Sequence, residues 1–387
     1  MFIGLVLSAT PGYSETFFRN KISMLSEAGV RVAVFVGRNR EVEDRDRFIE
    51  GFAWDGNIMV RAMATIRLLL LLSGSPLRAA KLFRLNQEDG FSVRNNLLSL
   101  ASSAHILKFS PDWLHFGFAT VAVGRENLAK VLGAKMAVSI RGYDIAVYPL
   151  KNKGCYNLLW KRLDKLHYIS DDLLALATKH GFDLSRHHVK ITPAIDTSLF
   201  TPAADRSRDE PLRILTIARL QWKKGLEYLL ESLSILSERG IRFHCSIVGD
   251  GSEHERLVFA GHQLSISDHL SFFGVQNPSR VKALLSETDL YVQYSIQEGF
   301  CNSVLEAQAM GKLCVVSDAE GLAENVVDGQ TGWVVPRRDP ERLADRICAV
   351  MNMTGPELRN VSKAAIDRVR SQFSLQRQKN AFLDFYT

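Results

Sequence analysis

The sequence predicts an α/β protein made of two doubly wound parallel sheets covered by helices. Three observations support this prediction: a length of 387 residues, an alternation of short apolar β-branched runs with amphipathic stretches, and a polar break near the middle of the chain. A chain of this length exceeds one ordinary core, so two domains are expected. Hydrophobic residues make up 46% and charged residues 23%, which is typical of globular proteins.

Five strands are predicted in each half of the chain, where the short apolar runs occur. Ligands of open parallel sheets bind beyond the carboxyl ends of the strands. Candidate functional residues are therefore expected at strand ends, facing a cleft between the two domains. The predicted strands begin at Phe2, Val30, Asp112, Lys135 and Lys165 in the first half, and at Arg213, Arg242, Leu270, Asp289 and Leu313 in the second.

The break between the domains is predicted in residues 201–211, which read TPAADRSRDEP. Apolar residues vanish there, and charges with flanking prolines indicate a linker. We expect an N-terminal domain of residues 1–203 and a C-terminal domain of residues 204–370. Residues 371–387 are expected to form a C-terminal helix that packs back on the N-terminal domain.

The net charge of +6 is unevenly distributed: residues 1–205 hold 26 Lys and Arg against 19 Asp and Glu, whereas the remainder holds 22 against 23. A basic first half attracts an anionic partner such as a phosphorylated substrate or a membrane surface, or it is only a solvated face. The five cysteines show no metal-ligand spacing, so neither a disulfide framework nor a zinc site is predicted, and a reducing cytoplasm fits best.

The first residues, MFIGLVLSATPG, carry no basic leader and favour a buried strand over a signal peptide. No apolar run reaches the roughly 18 residues that a membrane span needs. Residues 60–86 are basic and amphipathic, which is typical either of a helix pair on anionic lipid or of an ordinary helical hairpin with core leucines. Leucines 68–72 would surround a helix on all sides and not line one face, which slightly favours the hairpin. The cations are Arg61, Arg67, Arg78, Lys81 and Arg84.

Two glutamates eight residues apart stand out in EGFCNSVLEAQAMG, at Glu298 and Glu306. The segment follows a predicted strand, and Gly299 lets the backbone approach a ligand closely. Asn302 or Ser303 can cap a helix that continues as VLEAQAM. The start of such a helix offers free N–H groups to a phosphate, with Glu306 close enough to hold a sugar ring of a nucleotide.

Two cations follow another predicted strand in TIARLQWKKGLEYLLES, where Arg219 ends the strand and Lys224 precedes Gly225 and a helix. A pair of cations at one strand end suits a diphosphate, the arginine through its fork and the lysine as a point charge. A lone cation would more often be a solvated loop residue. The strand, the glycine and the acidic motif in the same half favour the functional interpretation.

These motifs together resemble glycosyltransferase family 4, in particular its members that assemble bacterial polysaccharides. The resemblance rests on R-L-x3-K-G at 219–225, VGDG at 248–251, the two glutamates and DGQTGWVVP at 328–336. In the first half it is looser, in PGYSETF from Pro11, RGYD from Arg141 and PAIDTSLFTP from Pro193. The family implies a GT-B fold, in which two doubly wound Rossmann-like domains face each other across a cleft.

The resemblance also implies roles for individual residues. Arg219 and Lys224 would hold the diphosphate, Glu306 the ribose hydroxyls and Glu298 the donor sugar. The nucleotide base would lie between Gly249 and Val275. Gly12 of the first domain would lie beside the phosphates. The backbone along sugar and phosphate would come from Gly299, Phe300, Cys301, Asn302 and Ser303.

The first half departs from the family at two places. Where many members carry an H-x-H segment, this chain reads LHFGFA, with His115 followed by Gly117. The common HG-x-D appears as RGYD, so that Arg141 and Asp144 are the expected acceptor-side residues. Either His115 or Arg141 could replace the missing histidine as a catalytic group, although a lone histidine in a strand is more often a packed residue.

The resemblance implies a retaining, metal-independent glycosyltransferase that moves a sugar from a UDP- or GDP-sugar to a saccharide or lipid-linked acceptor in cell-envelope or exopolysaccharide synthesis. We expect it in the cytoplasm, at the inner face of the membrane where the acceptor is lipid-linked, without a cofactor, a metal or a nucleic-acid partner. The alternatives are a non-catalytic nucleotide-sugar-binding protein and a GT-B epimerase. NAD binding is not expected, because His254 occupies the third glycine position of a dinucleotide fingerprint.

Overall fold

The computed structural model of the chain describes residues 1–12, 16–38, 48–51, 58–202 and 211–387, with the backbone alone for 58–64 and 66. The middle of the PGYSETF segment, most of the predicted linker and the side chain of Arg61 lie outside the described residues. The chain divides into two compact units. One comprises Met1–Ile191 with Lys379–Thr387, and the other Thr192–Gln378.

The first unit is built on a seven-stranded parallel sheet in the order β3-β2-β1-β4-β5-β6-β7. Its central strands are apolar and buried because helices cover both faces of such a sheet. The strand order reverses between β1 and β4. The strands are β1 (Phe2–Ala9), β2 (Arg31–Arg38), β3 (Phe48–Glu50), β4 (Trp113–Phe116), β5 (Lys135–Ile140), β6 (Lys165–Tyr168) and β7 (His188–Lys190).

Helices connect these parallel strands except β2 and β3, whose connection, residues 39–47, lies outside the described residues. Three consecutive helices, α2 to α4, lie between β3 and β4, and α4 begins after Ser92, whose side chain accepts the backbone N–H of Asn95 at 3.2 Å. The helices are α1 (Thr16–Glu27), α2 (Ile58–Ser73), α3 (Pro76–Glu88), α4 (Val93–Ser103), α5 (Ala119–Ala122), α6 (Leu128–Leu132), α7 (Tyr143–Ala146), α8 (Tyr148–Lys151), α9 (Asn157–Arg162) and α10 (Asp171–Lys179).

The second unit is built on a six-stranded parallel sheet in the order β10-β9-β8-β11-β12-β13. Leucines of α11 and α15 pack on buried residues of the central strands and form one core. The strands are β8 (Leu212–Ile217), β9 (Phe243–Val248), β10 (Leu270–Phe272), β11 (Leu290–Gln293), β12 (Leu313–Ser317) and β13 (Trp333–Val335). The helices are α11 (Leu226–Glu238), α12 (His254–Gln263), α13 (Pro278–Glu287), α14 (Asn302–Ala309), α15 (Pro340–Met351), α16 (Gly355–Gln372) and α17 (Leu375–Tyr386).

The prediction of two doubly wound parallel sheets is confirmed, and all ten predicted strands are present. Strands β3, β7 and β13 were not predicted from the sequence. Each of these has only three residues and lies at or next to a sheet edge, where a strand needs little apolar sequence of its own.

The division between the units lies earlier in the chain than the expected boundary at residue 203. Residues 192–202 belong to the second unit. The backbone N–H of Ile195 donates to the carbonyl of Phe373 at 3.0 Å, and the Gln378 side chain donates to the carbonyl of Thr192 at 2.7 Å. These hydrogen bonds, which composition does not reveal, hold residues 192–202 to the second unit.

The C-terminal segment joins the first unit from Lys379 onward, later than the expected residue 371. Residues before it belong to α16 and the start of α17, which pack within the second unit. The indole N–H of Trp113 donates to the carbonyl of Tyr386 at 2.8 Å, which fixes the end of α17 beside β4. The aromatic residues that α17 adds to this core are Phe382, Phe385 and Tyr386.

Candidate functional site

The carboxyl ends of β8 and β11 form the candidate site in the second unit. These neighbouring strands mark the point where the strand order reverses, since β9 follows β8 on one side and β12 follows β11 on the other. Such a switch point leaves a crevice beyond the strand ends in open α/β sheets. The chain leaves β8 toward Arg219 and leaves β11 toward Glu298.

Lys224 and Glu298 come together there as an ion pair between the Lys224 Nζ and the Glu298 Oε2. A 3-10 turn over Trp222–Lys224 carries the lysine, and the Lys223 carbonyl accepts the N–H of Ile296 at 2.8 Å, which ties this turn to the end of β11. Gly225 follows with φ +59°, and a Cβ there would lie 2.3 Å from the carbonyl oxygen of Tyr294. Only glycine permits this approach.

The electrostatics of this edge are dominated by cations. The side chains of Lys224 and Glu298 are only 10% and 14% exposed, and the Ser295 hydroxyl lies 3.3 Å from the same carboxylate. Arg219 is exposed and makes no ion pair among the described residues. Burial, followed by the nearby Arg219 and Lys224, lowers the pKa of Lys223. The Oε2 of Glu320 accepts the backbone N–H of Glu298 at 2.9 Å, and Glu320 is itself paired with Arg337. The cations therefore exceed the carboxylates at this edge, which favours an anionic ligand.

Helix α14 begins at Asn302, at the end of the loop that carries Glu298. The predicted caps, Asn302 and Ser303, are wrong, because the N-cap position is Cys301 and Ser303 lies inside the first turn. Cys301 provides no side-chain oxygen for the first N–H groups, which leaves the helix start suited to an anion. Asn325 fixes the loop by exchanging two hydrogen bonds with the backbone of Cys301, at 3.0 and 2.9 Å.

The predicted loop residues contribute in different ways. The ring of Phe300 is buried and packs against Phe373 at 5.7 Å between centroids, so only its backbone can face a ligand. Gly299, Asn302 and Ser303 are partly exposed. Glu306 lies on α14, and its carboxylate has no hydrogen bond or ion pair in the described part of the chain. Burial raises the pKa of Glu306 to about 7.

The expected base-binding residues lie at the ends of β9 and β10. The N–H of Gly249 donates to the carbonyl of Gly274 at 2.8 Å, which brings Gly249 beside the exposed Val275. Gly249 has φ +129°, and a Cβ there would lie 1.9 Å from the carbonyl oxygen of Ala218. The turn after β9 therefore passes directly over the end of β8, and a side chain cannot replace this glycine.

A buried polar chain beneath the site joins its two halves. The Tyr291 hydroxyl lies 2.9 Å from the Gln293 Oε1 and 2.7 Å from the Ser303 hydroxyl. Gln293 donates to Ser295 at 3.1 Å, and Ser295 contacts Glu298. These residues were not predicted, although polar side chains at every second position of the buried segment DLYVQYS were a usable signal.

His115 belongs to the core of the first unit. It is fully buried, with the Tyr386 hydroxyl 2.6 Å and the Lys21 Nζ 3.2 Å from its Nδ1, and the Ser139 hydroxyl 2.7 Å from its Nε2. Burial and the charge of Lys21 hold the pKa of His115 well below its usual range. We therefore assign His115 to packing and correct its expected role as a catalytic group.

Asp144 is also structural, contrary to the expected acceptor-side role. Its buried carboxylate accepts the backbone N–H groups of Arg141 at 3.0 Å, Gly142 at 2.8 Å and Ala119 at 3.2 Å, and so holds the RGYD turn. Arg141 is partly exposed, with its guanidinium 3.7 Å from the centroid of the Phe17 ring. Gly12 follows β1 and is partly exposed.

Within the described residues, no group of three His, Cys, Asp or Glu side chains is arranged to hold a metal ion. The expectation that the protein needs no metal stays a prediction. None of the helices in the described ranges is long and apolar enough to cross a bilayer.

The family model for glycosyl transferases group 1 matches residues 200–368. The putative colanic acid biosynthesis glycosyltransferase WcaL of Escherichia coli K12 is 27% identical, over 97% of either chain. Sucrose-phosphate synthase from Thermosynechococcus elongatus superposes with a TM-score of 0.76 at 18% identity, over 100% of this chain and 98% of its own. Anabaena Alr3699/HepE in complex with UDP and glucose gives a TM-score of 0.72 at 15% identity, over 99% and 98%. These structures confirm the expected GT-B fold.

Proposed function

Residues 200–368 form a domain of the glycosyl transferases group 1 family, and from this premise we propose that the protein is a retaining, metal-independent glycosyltransferase with a nucleoside-diphosphate sugar as donor. The observation that carries the proposal is the cationic edge of the second sheet, where Lys224 pairs with Glu298 near the start of α14, and Lys223 and Arg219 lie nearby. The Anabaena protein of the same fold was crystallised with UDP and glucose, which supports a UDP-sugar, and a GDP-sugar remains the alternative donor.

In the donor site, cations bind the diphosphate and carboxylates bind hydroxyl groups. Arg219 and Lys224 stabilise the negative charge that grows on the diphosphate as the glycosidic bond breaks, together with the N–H groups at the start of α14. The ion pair with Glu298 holds Lys224 and the helix holds the N–H groups, so these groups cost little reorganisation during the reaction. Glu298 orients Lys224 and accepts hydroxyl groups of the donor sugar, while Glu306 accepts the ribose hydroxyls.

No protein nucleophile is needed in the proposed reaction. The acceptor hydroxyl approaches the sugar carbon on the face that the diphosphate leaves, and the departing phosphate oxygen takes the proton of that hydroxyl. The new bond therefore keeps the configuration of the old one. The protein contributes mainly position and electrostatic stabilisation.

The acceptor is a saccharide or a lipid-linked saccharide of the bacterial cell envelope or exopolysaccharide. The similarity to WcaL over 97% of both chains supports a place in polysaccharide assembly. We place the enzyme in the cytoplasm, at the inner face of the membrane, where a lipid-linked acceptor would be found.

A melting experiment tests the donor site. The melting temperature is measured in excess chelator with UDP, GDP and the corresponding nucleosides, which lack the diphosphate. A ligand at a hundred times its Kd stabilises the folded state by about 2.7 kcal/mol, a shift of roughly 5 to 10 °C for a domain of this size. We expect a shift with one of the two diphosphates and little with its nucleoside. Equal shifts for diphosphate and nucleoside, or none at all, would refute the proposed site.

A further inference from the structure

Helices α2, α3 and α4 of the first unit expose a cluster of apolar side chains. Leu77 is 85% exposed, Leu70 67% and Leu69 61%. Single exposed leucines are common on protein surfaces, but a cluster on adjacent helices indicates an interaction site. The hairpin with core leucines, slightly favoured from the sequence, is therefore wrong for Leu69 and Leu70. The same helices also expose Val93, Leu97 and Leu98 by more than half.

The exposed side chains of α3 and α4 share faces with cations. On α3, Leu77, Lys81 and Arg84 are spaced four and three residues apart, which places them in one row along the helix. On α4, Arg94 precedes Leu97 and Leu98 by three and four residues. The two helices pack together through buried amides, since the Asn86 side chain donates to Asn96 at 3.1 Å and to Ser99 at 3.0 Å.

The charges of this surface are predominantly positive. Arg67, Lys81, Arg84 and Arg94 are exposed. The pair between Arg84 and Glu88 spans 3.5 Å with both side chains mostly exposed, so it neutralises little.

Two further charged residues, one on α3 and one just after it, interact with other parts of the first unit. Arg78 donates to the carbonyl oxygens of Leu107 and Phe109 at 2.7 Å each, and therefore holds the loop after α4. Asp89 pairs with Arg162 at 2.8 Å. The cations that remain available are those that share faces with the leucines.

We propose that this surface, called the α2–α4 surface and defined by its four exposed cations and its leucines, docks on an anionic lipid bilayer. Leucines that are exposed in the described part of the chain gain from burial at the acyl boundary, and the cations beside them meet the lipid phosphates. A second copy of the chain fits less well, because a symmetric contact would place cations against cations. The purpose of this docking rests on the proposed function, because docking would bring the enzyme to a lipid-linked acceptor.

Vesicle binding tests the cations first. The partition coefficient of the full chain is measured at low salt on vesicles of equimolar phosphatidylcholine and phosphatidylglycerol. Each cation near such a surface contributes about fivefold, so neutralising four should weaken binding by more than about a hundredfold. A control with the same charge change elsewhere on the first unit should change binding by less than about fivefold. The test variant changes Arg67, Lys81, Arg84 and Arg94 to Gln, and the control changes Lys151, Lys153, Lys161 and Lys179 to Gln.

Equal losses in both variants would overturn the proposal, because the attraction would then come from overall charge and not from this surface. Equally strong binding of the wild-type chain to pure phosphatidylcholine would overturn it as well. A melting scan of each variant without lipid shows whether the fold is intact, which we expect because these side chains are exposed.

The leucines are tested at high salt, where the contribution of the cations is screened. Changing Leu69, Leu70, Leu97 and Leu98 to Ser should remove the remaining binding without lowering the melting temperature. Unchanged high-salt binding would overturn the proposal. If the wild-type chain dimerises without lipid and this variant does not, the surface binds a second copy instead.

The stabilisation by UDP or GDP should be the same in all these variants. If no nucleotide stabilises the wild-type chain but the vesicle results are as expected, the donor site is refuted and the docking surface is not. If a nucleotide stabilises the chain but the vesicle results fail, docking alone is refuted.

Discussion

The ion pair between Lys224 and Glu298 allows the electrostatic design of the donor site to be tested through stability. Both side chains are nearly buried. Changing Lys224 to Met leaves the Glu298 carboxylate without its cation, and breaking a buried pair in this way typically costs about 3 to 5 kcal/mol. Since water still reaches a small part of both groups, we expect the lower end, about 3 kcal/mol.

The measurement is urea unfolding of the single variant, of a double variant that also changes Glu298 to Gln, and of a Lys223→Met control. Lys223 is the neighbouring cation and makes no ion pair in the described part of the chain, so its replacement should cost less than about 1 kcal/mol. The double variant removes both charges and should recover most of the lost stability but none of the sugar transfer. If the double variant is as unstable as Lys224→Met, or if the two lysine variants are alike, the reasoning is refuted.

Three further predictions concern the same site. In steady-state kinetics, changing Arg219 to Ala should lower kcat by about a hundredfold or more, because the charge of Arg219 acts on the breaking bond. Changing Glu306 to Gln should mainly raise the donor KM, because a ribose contact changes little during the reaction. Nucleotide titrations from acid to alkaline pH should show binding that tightens through about pH 7, where Glu306 ionises and its charge-assisted hydrogen bonds form; binding in Glu306→Gln should not show this dependence. Tyr291→Phe should lower kcat about tenfold by releasing Ser303. Tyr294 is a buried tyrosine just after the same strand, and its hydroxyl donates to the carbonyl of Asp339, so Tyr294→Phe should lose stability but keep kcat.

The pH dependence of stability has the opposite sign from that of nucleotide binding. Burial raises the pKa of Glu306 in the folded protein from 4.5 to about 7, so between these values the folded state binds more protons than the unfolded state. The contribution of Glu306 to stability is therefore fully present below about pH 4.5 and is lost as the pH rises to about 7. The free energy of unfolding in urea is measured across this pH range for the wild-type chain and for Glu306→Gln. If the two free energies vary in parallel with pH, the raised pKa of Glu306 is contradicted.

The strands and the second-unit motifs could be predicted because their signals are local. Apolar runs mark buried parallel strands, and a strand followed by Arg219, or by a loop ending at Glu298, places charged groups at a sheet edge. The contact between Lys224 and Glu298 was not predicted, because it depends on the register between β8 and β11 and on the close approach at Gly225.

The mistaken predictions concern residues whose environment is set by distant segments. His115 is in the core because Tyr386, from the other end of the chain, supplies its hydrogen bond. The carboxylate of Asp144 accepts backbone N–H groups of its own turn and of Ala119, which a motif does not reveal. The leucines of α2 could not be placed, because a helix that is apolar all round gives no periodic signal for the face that is buried.

The most direct test of the central claim is a transfer assay in excess chelator. The purified chain is incubated with labelled UDP- and GDP-sugars and with lipid-linked saccharides extracted from bacterial membranes, and the anomeric configuration of any product is determined by NMR. We predict that one donor yields a product with the configuration of the donor bond, and that folded Arg219→Ala yields roughly a hundredfold less. An inverted product, a requirement for metal, an epimerised donor, or nucleotide binding without any transfer would contradict the account.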